Sequence, residues 1–365
     1  MKLAIVGDLH HDIKNGSYNA LCYQKRFFYE YLIPALPSVD GVIFLGDIFH
    51  NRRDINLRIL KEVIQIFKDI QFKNKPLYGV LGNHDFYFRN SYELSTVREI
   101  GLGIQYGDYN CKWYMINEHC ICIHWHNTSE ELKQTFEEIK NSGLNKNIHY
   151  VFGHFSLYGF NFNYKAINDN EDDLTSEVFN SYFPNLRKVF SGHFHTPSMK
   201  GKIIYVGVPY HLTWSELNEK LGFYILDSDT DKYGFIQNVH KAFELIRIEE
   251  NTQPNDILST VEKTNYRKLY KIVYNDSSKE VLARYIYNQI MMLGHDAQLV
   301  DENIFTLDLD EDFVPSDETI NIETLIKEYF MKNCNIAEEE KEYYYSLFKS
   351  IYDSVKNQLD TIEIE

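Results

Sequence analysis

Eight side chains that can bind metal ions or move protons follow short apolar runs within the first 200 residues. They are two aspartates, one asparagine and five histidines: Asp8, His10, Asp47, Asn83, His84, His154, His193 and His195. Carboxylate oxygens, an amide oxygen and neutral imidazoles form a mixed set that suits manganese, iron or zinc rather than calcium. No cysteine belongs to the set, which disfavours a structural zinc site.

The size of the set indicates two metals. Even seven of these eight side chains would exceed the number of protein ligands that one ion usually has, but they suit two ions that share a bridging carboxylate. Such pairs lie about 3.5–4 Å apart, activate a water molecule and neutralise a phosphoryl group during in-line displacement. The chemistry that these residues predict is therefore hydrolysis of a phosphoester.

The elements that must position these residues are strands. Residues 42–45 are all apolar and end at Gly46 and Asp47, a pattern typical of a strand that is buried on both faces. Open α/β sheets bind their ligands at the carboxyl ends of such strands. Helices are predicted from Ser17, from about Asp54 to Pro76, and from Ser129 to Lys140. The alternation of strands and helices over about 240 residues predicts a layered α/β domain.

Each motif alone is more often an ordinary turn than a site, but five in order leave little room for coincidence. The ordered set resembles the calcineurin-like metallophosphoesterase superfamily: Asp8-x-His10, Gly46-Asp47, Gly82-Asn83-His84-Asp85, Gly153-His154 and Gly192-His193-x-His195. The resemblance implies a four-layer αββα sandwich, with two mixed sheets between layers of helices. Gly46-Asp47-Ile48-Phe49-His50 is also similar to the SbcD-type DNA repair and recombination nucleases, of which tailed phages encode compact versions.

The resemblance also implies a role for each residue. Asp47 bridges two divalent ions, with manganese expected; Asp8, His10 and His195 hold one ion, and Asn83, His154 and His193 hold the other. His84 contacts the phosphate and protonates the leaving oxygen, with Asp85 to orient it. His50 assists in placing the substrate.

Other histidines and cysteines fit structural roles better. Relatives usually place Gly after the histidine that corresponds to His124, where this chain has Trp125. We therefore favour strand-end packing over site contact for His124. His11 and His126 are predicted to lie on the surface. Cys120 and Cys122 alternate along a predicted strand and are expected to be buried thiols.

The domain organisation expected from the sequence has three parts. Residues 1–250 form the nuclease domain, 251–312 a small α/β capping domain that binds DNA, and 313–365 a C-terminal helical region. In the capping domain, a strand is predicted at 269–274, a helix at 279–293 and further strand at 298–309. The C-terminal helices have apolar stripes, which we expect to bind the coiled coil of an SMC-type ATPase. A homodimer is expected from the family.

The net charge of −16 does not exclude DNA as a partner. Residues 301–365 hold 5 basic and 18 acidic residues, a net charge of −13, which leaves −3 for residues 1–300. Binding through a local basic patch therefore stays open. Arg52 and Arg53, two and three positions after His50, are the predicted DNA contacts. Basic residues of the capping segment are a second candidate surface: Lys263, Arg267, Lys268, Lys271, Lys279 and Arg284.

The sequence thus predicts a manganese-dependent DNA exonuclease or endonuclease subunit of an SMC-type ATPase–nuclease complex, acting in double-strand break repair or recombination. One alternative is a small-molecule phosphatase or phosphodiesterase of the same fold, which would share every metal residue. Another is a non-catalytic scaffold that clamps DNA, against which the intact ligand set argues. We predict neither a membrane span nor a signal peptide, and the unpaired cysteines fit the reducing cytoplasm.

Overall fold

The structure of the protein is a computed structural model. The structure describes residues 1–88, 91–157, 176–261 and 267–302, together with Ser346 and Lys349. The chain divides into two compact units, Met1–Phe305 and Thr306–Glu365. Apart from Ser346 and Lys349, the predicted C-terminal helices lie outside the described residues, and so does the part of the predicted strand after residue 302.

Strands supply the scaffold of the first unit. Their bounds are β1 (Lys2–Val6), β2 (Gly41–Phe44), β3 (Leu77–Gly79), β4 (Phe86–Phe88), β5 (Ser91–Ser95), β6 (Trp113–Asn117), β7 (Cys120–Ile123), β8 (Tyr150–His154), β9 (Lys188–Gly192), β10 (Ser198–Lys200), β11 (Ile203–Tyr205), β12 (Gly222–Asp227), β13 (Lys232–Gln237), β14 (Phe243–Arg247), β15 (Leu269–Tyr274) and β16 (Asp296–Asp301). Two large mixed sheets have the orders β13-β12-β1-β2-β3 and β10-β11-β9-β8-β7-β6. β4 and β5 form a separate hairpin.

Helices connect the strands and cover the sheets. They are α1 (Ile13–Gly16), α2 (Tyr18–Phe27), α3 (Ile33–Ala35), α4 (Leu57–Gln71), α5 (Thr96–Ile100), α6 (Ser129–Asn141), α7 (Ser176–Tyr182), α8 (Pro254–Thr260) and α9 (Glu280–Met292). Ser17 caps α2 as predicted, because its side chain accepts the N–H of Ala20. The helix expected from Asp54 begins instead at Leu57, since the side chain of Asn56 accepts two N–H groups of the first turn.

The two large sheets pack face to face through an apolar layer. Strand alternation explains it: Leu3 and Ile5 of β1 point into this layer, while Ala4 and Val6 point to the opposite face. The second sheet contributes its own inward side chains, among them Phe152. Cys120 and Cys122 are buried in the same layer as free thiols, as predicted.

Helices form the two outer layers. The apolar stripe of α4 packs on the outer face of the first sheet, with Val63 and Phe67 fully buried. α6 and α7 cover the second sheet, where Phe136 and Phe179 pack against each other. The order helix, sheet, sheet, helix confirms the predicted four-layer αββα sandwich.

A smaller α/β substructure follows the sandwich. Its sheet has the order β14-β15-β16, with all strands parallel, and α9 packs on it through Ile286 and Ile290. The predicted strand at 269–274 and helix at 279–293 occur as β15 and α9. β14 lies before residue 251, and the domain boundaries remain a prediction.

Candidate metal centre

The predicted ligands meet at one edge of the sandwich. β1, β2 and β3 run parallel in the first sheet, and they lead to Asp8, Asp47 and Asn83. β8 and β9 run parallel in the second sheet and lead to His154 and to the loop of His193. Because the carboxyl ends of both sets lie at the same edge, residues that are 185 positions apart come into contact.

The backbone is strained where the ligands sit. His10, Asp47 and His193 have φ angles of 42°, 51° and 89°, in the left-handed region that residues other than glycine rarely adopt. Such strain costs about 1–3 kcal/mol per residue and is common at functional sites. Hydrogen bonds hold it in place, since the carbonyl of Asp47 accepts the N–H groups of Leu9 and His10.

Glycine is required close to Asp47. Gly46 has a φ of 103°, which lets the chain turn directly after the strand. A Cβ atom on Gly82 would lie 2.2 Å from Oδ1 of Asp47. The Gly-Asp and Gly-Asn spacing of the motifs therefore has a steric reason, because the carboxylate occupies the space that a side chain at position 82 would need.

Two acceptor atoms face each other on one side of Asp47. His154 donates from Nδ1 to the carbonyl of Leu45 at 2.7 Å, so its Nε2 carries a lone pair. That Nε2 lies 2.9 Å from Oδ1 of Asn83 and 3.5 Å from Oδ2 of Asp47. Nδ1 of His193 lies 3.3 Å from the same Asn83 oxygen. A cation bound between these atoms would remove the repulsion between their lone pairs, so this side of Asp47 fits one metal ion.

A second group of donors lies on the other side of Asp47. Nε2 of His10 is 3.5 Å from Oδ2 of Asp47 and 3.2 Å from Nε2 of His195. The carboxylate of Asp8 accepts the N–H of His193 and lies 3.4 Å from Nδ1 of His154. Donors that share an ion at about 2.1 Å are about 3–4 Å apart. The spacing on this side therefore fits a second ion, with Asp47 between the two groups.

Glu216 is a functional candidate for which the sequence analysis predicted no role. It is fully buried, and its Oε1 lies 3.1 Å from Nδ1 of His195. Because Glu216 accepts this proton, Nε2 of His195 is left with its lone pair toward His10. Thr213-x-x-Glu216 is a capping box, with Glu216 accepting the N–H of Thr213. The capping-box pattern is visible in the sequence, but the contact with His195 is not.

His84 is held by its neighbour His50. Nδ1 of His84 donates to the carbonyl of His50 at 2.5 Å, which leaves Nε2 available for a substrate. The His84 ring also lies edge-on to the His10 ring at 5.0 Å. Nδ1 of His50 lies 3.4 Å from Nδ1 of His10, so His50 also contacts a predicted ligand.

The predicted contact between Asp85 and His84 is wrong. The carboxylate of Asp85 instead accepts the N–H groups of Gly82, Asp47 and Ile48, at 2.8, 2.8 and 3.0 Å. A fully buried carboxylate needs several donors, and the backbone of the two motif loops supplies them. Asp85 thus fixes the loop of Asp47 to the loop of Asn83, and the carbonyl of His50 orients His84.

Burial shifts the protonation of this cluster. It raises the pKa of Asp8 to about 6 and, together with the charge of Asp47, raises the pKa of Asp85 to about 7. Burial and the neighbouring His154 lower the pKa of His193 to about 3. For His195, burial is outweighed by the hydrogen bond and charge of Glu216, and the pKa rises to about 9. Metal binding here must therefore compete with protons.

Comparison with known proteins agrees with this geometry. The family model for calcineurin-like phosphoesterases matches residues 1–197, which contain all the candidate metal ligands on both sides of Asp47. The chain belongs to the calcineurin-like phosphoesterase family. Within the described residues, the donor atoms of Asp8, Asp47 and His154 lie within 4.8 Å of one another, and so do those of His10, His50 and His84. This phosphoesterase thus has a candidate metal site built from Asp and His.

One curated relative of the phosphoesterase is a phage protein. This chain is 26% identical over 254 residues to exonuclease subunit 1 of Enterobacteria phage T4, and the match covers 65% of this chain and 68% of that protein. Solved structures give weaker likenesses. An archaeal phosphodiesterase has a TM-score of 0.32 at 16% identity, over 65% of this chain and all of that one. A dimetal phosphatase from Danio rerio has a TM-score of 0.38 at 11% identity, over 62% and 91%. Neither structural likeness is strong enough to bear on function.

Histidines outside the motifs are structural in the phosphoesterase. His124 accepts the N–H of Leu81 and donates to the carbonyl of Tyr106, so both ring nitrogens are used, in agreement with strand-end packing. The prediction that His11 and His126 lie on the surface is wrong, because both are buried. Each has a partner distant in sequence: Gln24 bonds to His11, and Thr135 bonds to His126.

The predicted DNA contacts differ in their surroundings. Arg52 lies close enough to His84 for its charge to add to the lowering of the His84 pKa, of which burial is the main cause. Arg53 is exposed and packs on the rings of Tyr87 and Phe88. Several cations of the capping segment are paired with acids: Lys268 with Glu244, Arg267 with Asp296 and Arg284 with Glu280. Ion pairing makes that second surface a weaker candidate than Arg52 and Arg53.

Among the described residues, no helix is both long and apolar enough to cross a membrane.

Proposed function

We propose that this phosphoesterase is a DNA nuclease subunit that uses two divalent ions, with manganese preferred, to hydrolyse phosphodiester bonds. The observation that carries the proposal is the position of Asp47 between two groups of donors that come from the edges of both sheets. The similarity to a phage exonuclease subunit supports DNA as the substrate. Arg52 and Arg53 beside the site would bind its phosphates.

The residues of the site would divide the work. Bound divalent ions supply an activated water and neutralise negative charge on a phosphoryl group. Asp8, His10 and His195 would hold one ion, and Asn83, His154 and His193 the other, with Asp47 shared. His84 would present Nε2 to the leaving oxygen and protonate it, because its Nδ1 is committed to the carbonyl of His50.

The partners follow from the same proposal. The subunit would act on DNA together with an SMC-type coiled-coil ATPase and a second copy of itself, in break repair or recombination. The relative's description as a subunit supports a partner protein. The C-terminal region, 313–365, is the proposed ATPase-binding segment.

The test compares substrates. Purified protein with manganese is incubated with labelled duplex DNA, labelled single-stranded DNA and bis-p-nitrophenyl phosphate, before and after removal of metal with EDTA. We expect DNA cleavage that EDTA abolishes and manganese restores. The variant Asp256→Ala, which changes an exposed carboxylate far from the site in sequence, controls for nonspecific effects. Hydrolysis of the small ester without DNA cleavage would favour the small-molecule phosphodiesterase and overturn the proposal.

A further inference from the structure

Two chain segments leave the metal centre side by side. One follows β2 and contains His50 and Arg53; the other follows β3 and contains His84 and Tyr87. They are joined at the site, where His84 donates to the carbonyl of His50. They are joined again where Nε of Arg53 donates to the carbonyl of Tyr87 at 3.3 Å. The two contacts are three positions apart on each segment, so the second contact lies at most about 10 Å along the chain from the first.

Arg53, Tyr87 and Phe88 form a small surface at this second contact, which we call the aromatic patch. The guanidinium carbon of Arg53 lies 5.0 Å from the centre of the Tyr87 ring and 6.0 Å from that of Phe88. The two rings are 4.9 Å apart and nearly perpendicular. Phe88 is 40% exposed. The patch therefore presents an aromatic ring and a positive charge together to solvent.

Phe88 is the exposed last residue of β4. In a regular strand, Phe86 and Phe88 would point to the same face. Phe86 does point into the core, where it packs against Tyr92. The register of β4 against β5 shifts between Phe86 and Phe88, where five residues of β5 lie opposite three of β4, so the regular pairing is disrupted there. Single exposed apolar residues are ordinary on protein surfaces. This one is distinguished by the arginine and the second aromatic ring beside it.

The chemistry of the patch selects its ligand. Aromatic rings stack on nucleobases, and a guanidinium binds phosphate and also interacts with π-systems. A base inside a duplex has both faces covered by its neighbours, so only an unpaired base can stack on Phe88. Stacked nucleotides rise about 3.4 Å each along one strand, so a distance of about 10 Å spans about three nucleotides.

We propose that Arg53, Tyr87 and Phe88 form a stacking site for an unpaired nucleobase within about three nucleotides of the cleaved bond. The inference rests on the proposed nuclease function and deepens it. It names the substrate class as DNA whose strand is unpaired at the site, such as single strands, overhangs or frayed ends.

The test measures selectivity in the full-length, manganese-loaded protein. The quantity is the rate of single-stranded DNA cleavage divided by the rate of bis-p-nitrophenyl phosphate hydrolysis. Loss of one stacking contact reduces binding by about 5- to 150-fold, so Phe88→Ala should lower this ratio within that range. Phe88→Trp should preserve it, because the ring is kept. Phe72→Ala is the matched control, since Phe72 is 83% exposed at the end of α4.

A second measurement needs no mutation. Oligonucleotides that lack bases at the three positions beside the cleaved bond should be cut more slowly by the wild-type protein, by a similar factor. On these oligonucleotides, Phe88→Ala should cleave only slightly more slowly than the wild-type protein. A wild-type protein that cleaves DNA, with Phe88→Ala at the wild-type ratio, would overturn the stacking site alone. A wild-type protein that hydrolyses only the small ester would overturn the proposed function, and the stacking site with it.

Discussion

Asp47 has the most constrained position of the candidate ligands. Its backbone is left-handed, its N–H is held by Asp85 and its Oδ1 accepts the N–H of His84 at 2.8 Å. Its Oδ2 lies 3.5 Å from both His10 and His154. Burial opposes its charge, but the neighbouring His154 and His84 lower its pKa overall. One carboxylate therefore contacts both groups of donors and stays ionised.

Replacing Asp47 tests the bridge. Asp47→Asn removes the charge, and asparagine tolerates the left-handed backbone that this position requires. We expect hydrolysis to be abolished and the bound metal to fall below two ions per chain, measured by elemental analysis. Asp256→Ala should retain both. Two bound ions together with normal turnover in Asp47→Asn would contradict the bridging role.

His84 can be distinguished from a ligand by the same measurement. Replacement with Ser should reduce turnover by about 10²–10⁴, the usual contribution of an acid–base group, while the metal content stays constant. The alternative is specific, because the ring nitrogens of His10, His50 and His84 lie close enough together to hold an ion themselves. Loss of bound metal along with activity would make His84 a ligand.

At the scale of elements, one short turn connects the sandwich to the smaller sheet. It comprises Thr213 and the following residues Trp214–Glu216. Glu216 faces His195, while the ring of Trp214 stacks on Phe243 of β14 at 4.9 Å. Nζ of Lys271 in β15 lies over the Trp214 ring as well, 4.7 Å from its centre. The turn therefore supports a predicted metal ligand and also packs against the neighbouring sheet.

Glu216→Gln tests the support that this turn gives to the metal centre. The amide keeps the shape of the side chain but weakens its pull on the His195 proton. Loss of such an outer partner typically reduces metal affinity by about 10–100-fold, which we expect by calorimetric titration with manganese. Glu219→Gln, an exposed neighbour, is the matched control. A lower melting temperature with unchanged metal affinity would assign Glu216 to the capping box only.

At the scale of the whole molecule, the chain divides after Phe305. The first unit contains every candidate ligand and has its own cores, in the sandwich and against α9. Most of the acidic charge lies beyond it, because residues 306–365 hold 16 acidic and 5 basic residues. Hydrolysis and partner binding are thus expected to be separable along the chain.

A chain that ends at Phe305 tests this separation. We expect it to retain manganese-dependent hydrolysis and to lose co-purification with a co-expressed SMC-type ATPase. Circular dichroism establishes that the shortened protein is folded, and the full-length protein provides the reference for both measurements. Unfolding of the shortened chain would mean that the C-terminal region belongs to the core. Continued co-purification would place the partner surface within the first unit.

The sequence by itself predicted a layered α/β domain and the candidate ligands, and the resemblance of its motifs to a known family implied the four-layer sandwich. Runs such as residues 42–45 are apolar throughout, as in a strand with both faces covered, and parallel strands of this kind place their carboxyl ends at one edge. The apolar stripe of α4 could also be predicted, because the apolar residues that recur at helical spacing are those buried against the sheet. Patterns with a fixed period can be predicted from sequence, because they follow from the local backbone geometry of consecutive residues.

Only the tertiary structure decided which groups orient the ligands. The hydrogen bond from His195 to Glu216 and the one from His84 to the carbonyl of His50 join loops that are distant in sequence. His11 is buried in a similar way by contacts outside its own motif, since it bonds to Gln24 and stacks on the ring of Phe28. Such contacts have no period, because they depend on how two sheets align at their edges. The register shift of β4 against β5 between Phe86 and Phe88 is of this kind too, because the residues of β4 do not reveal it.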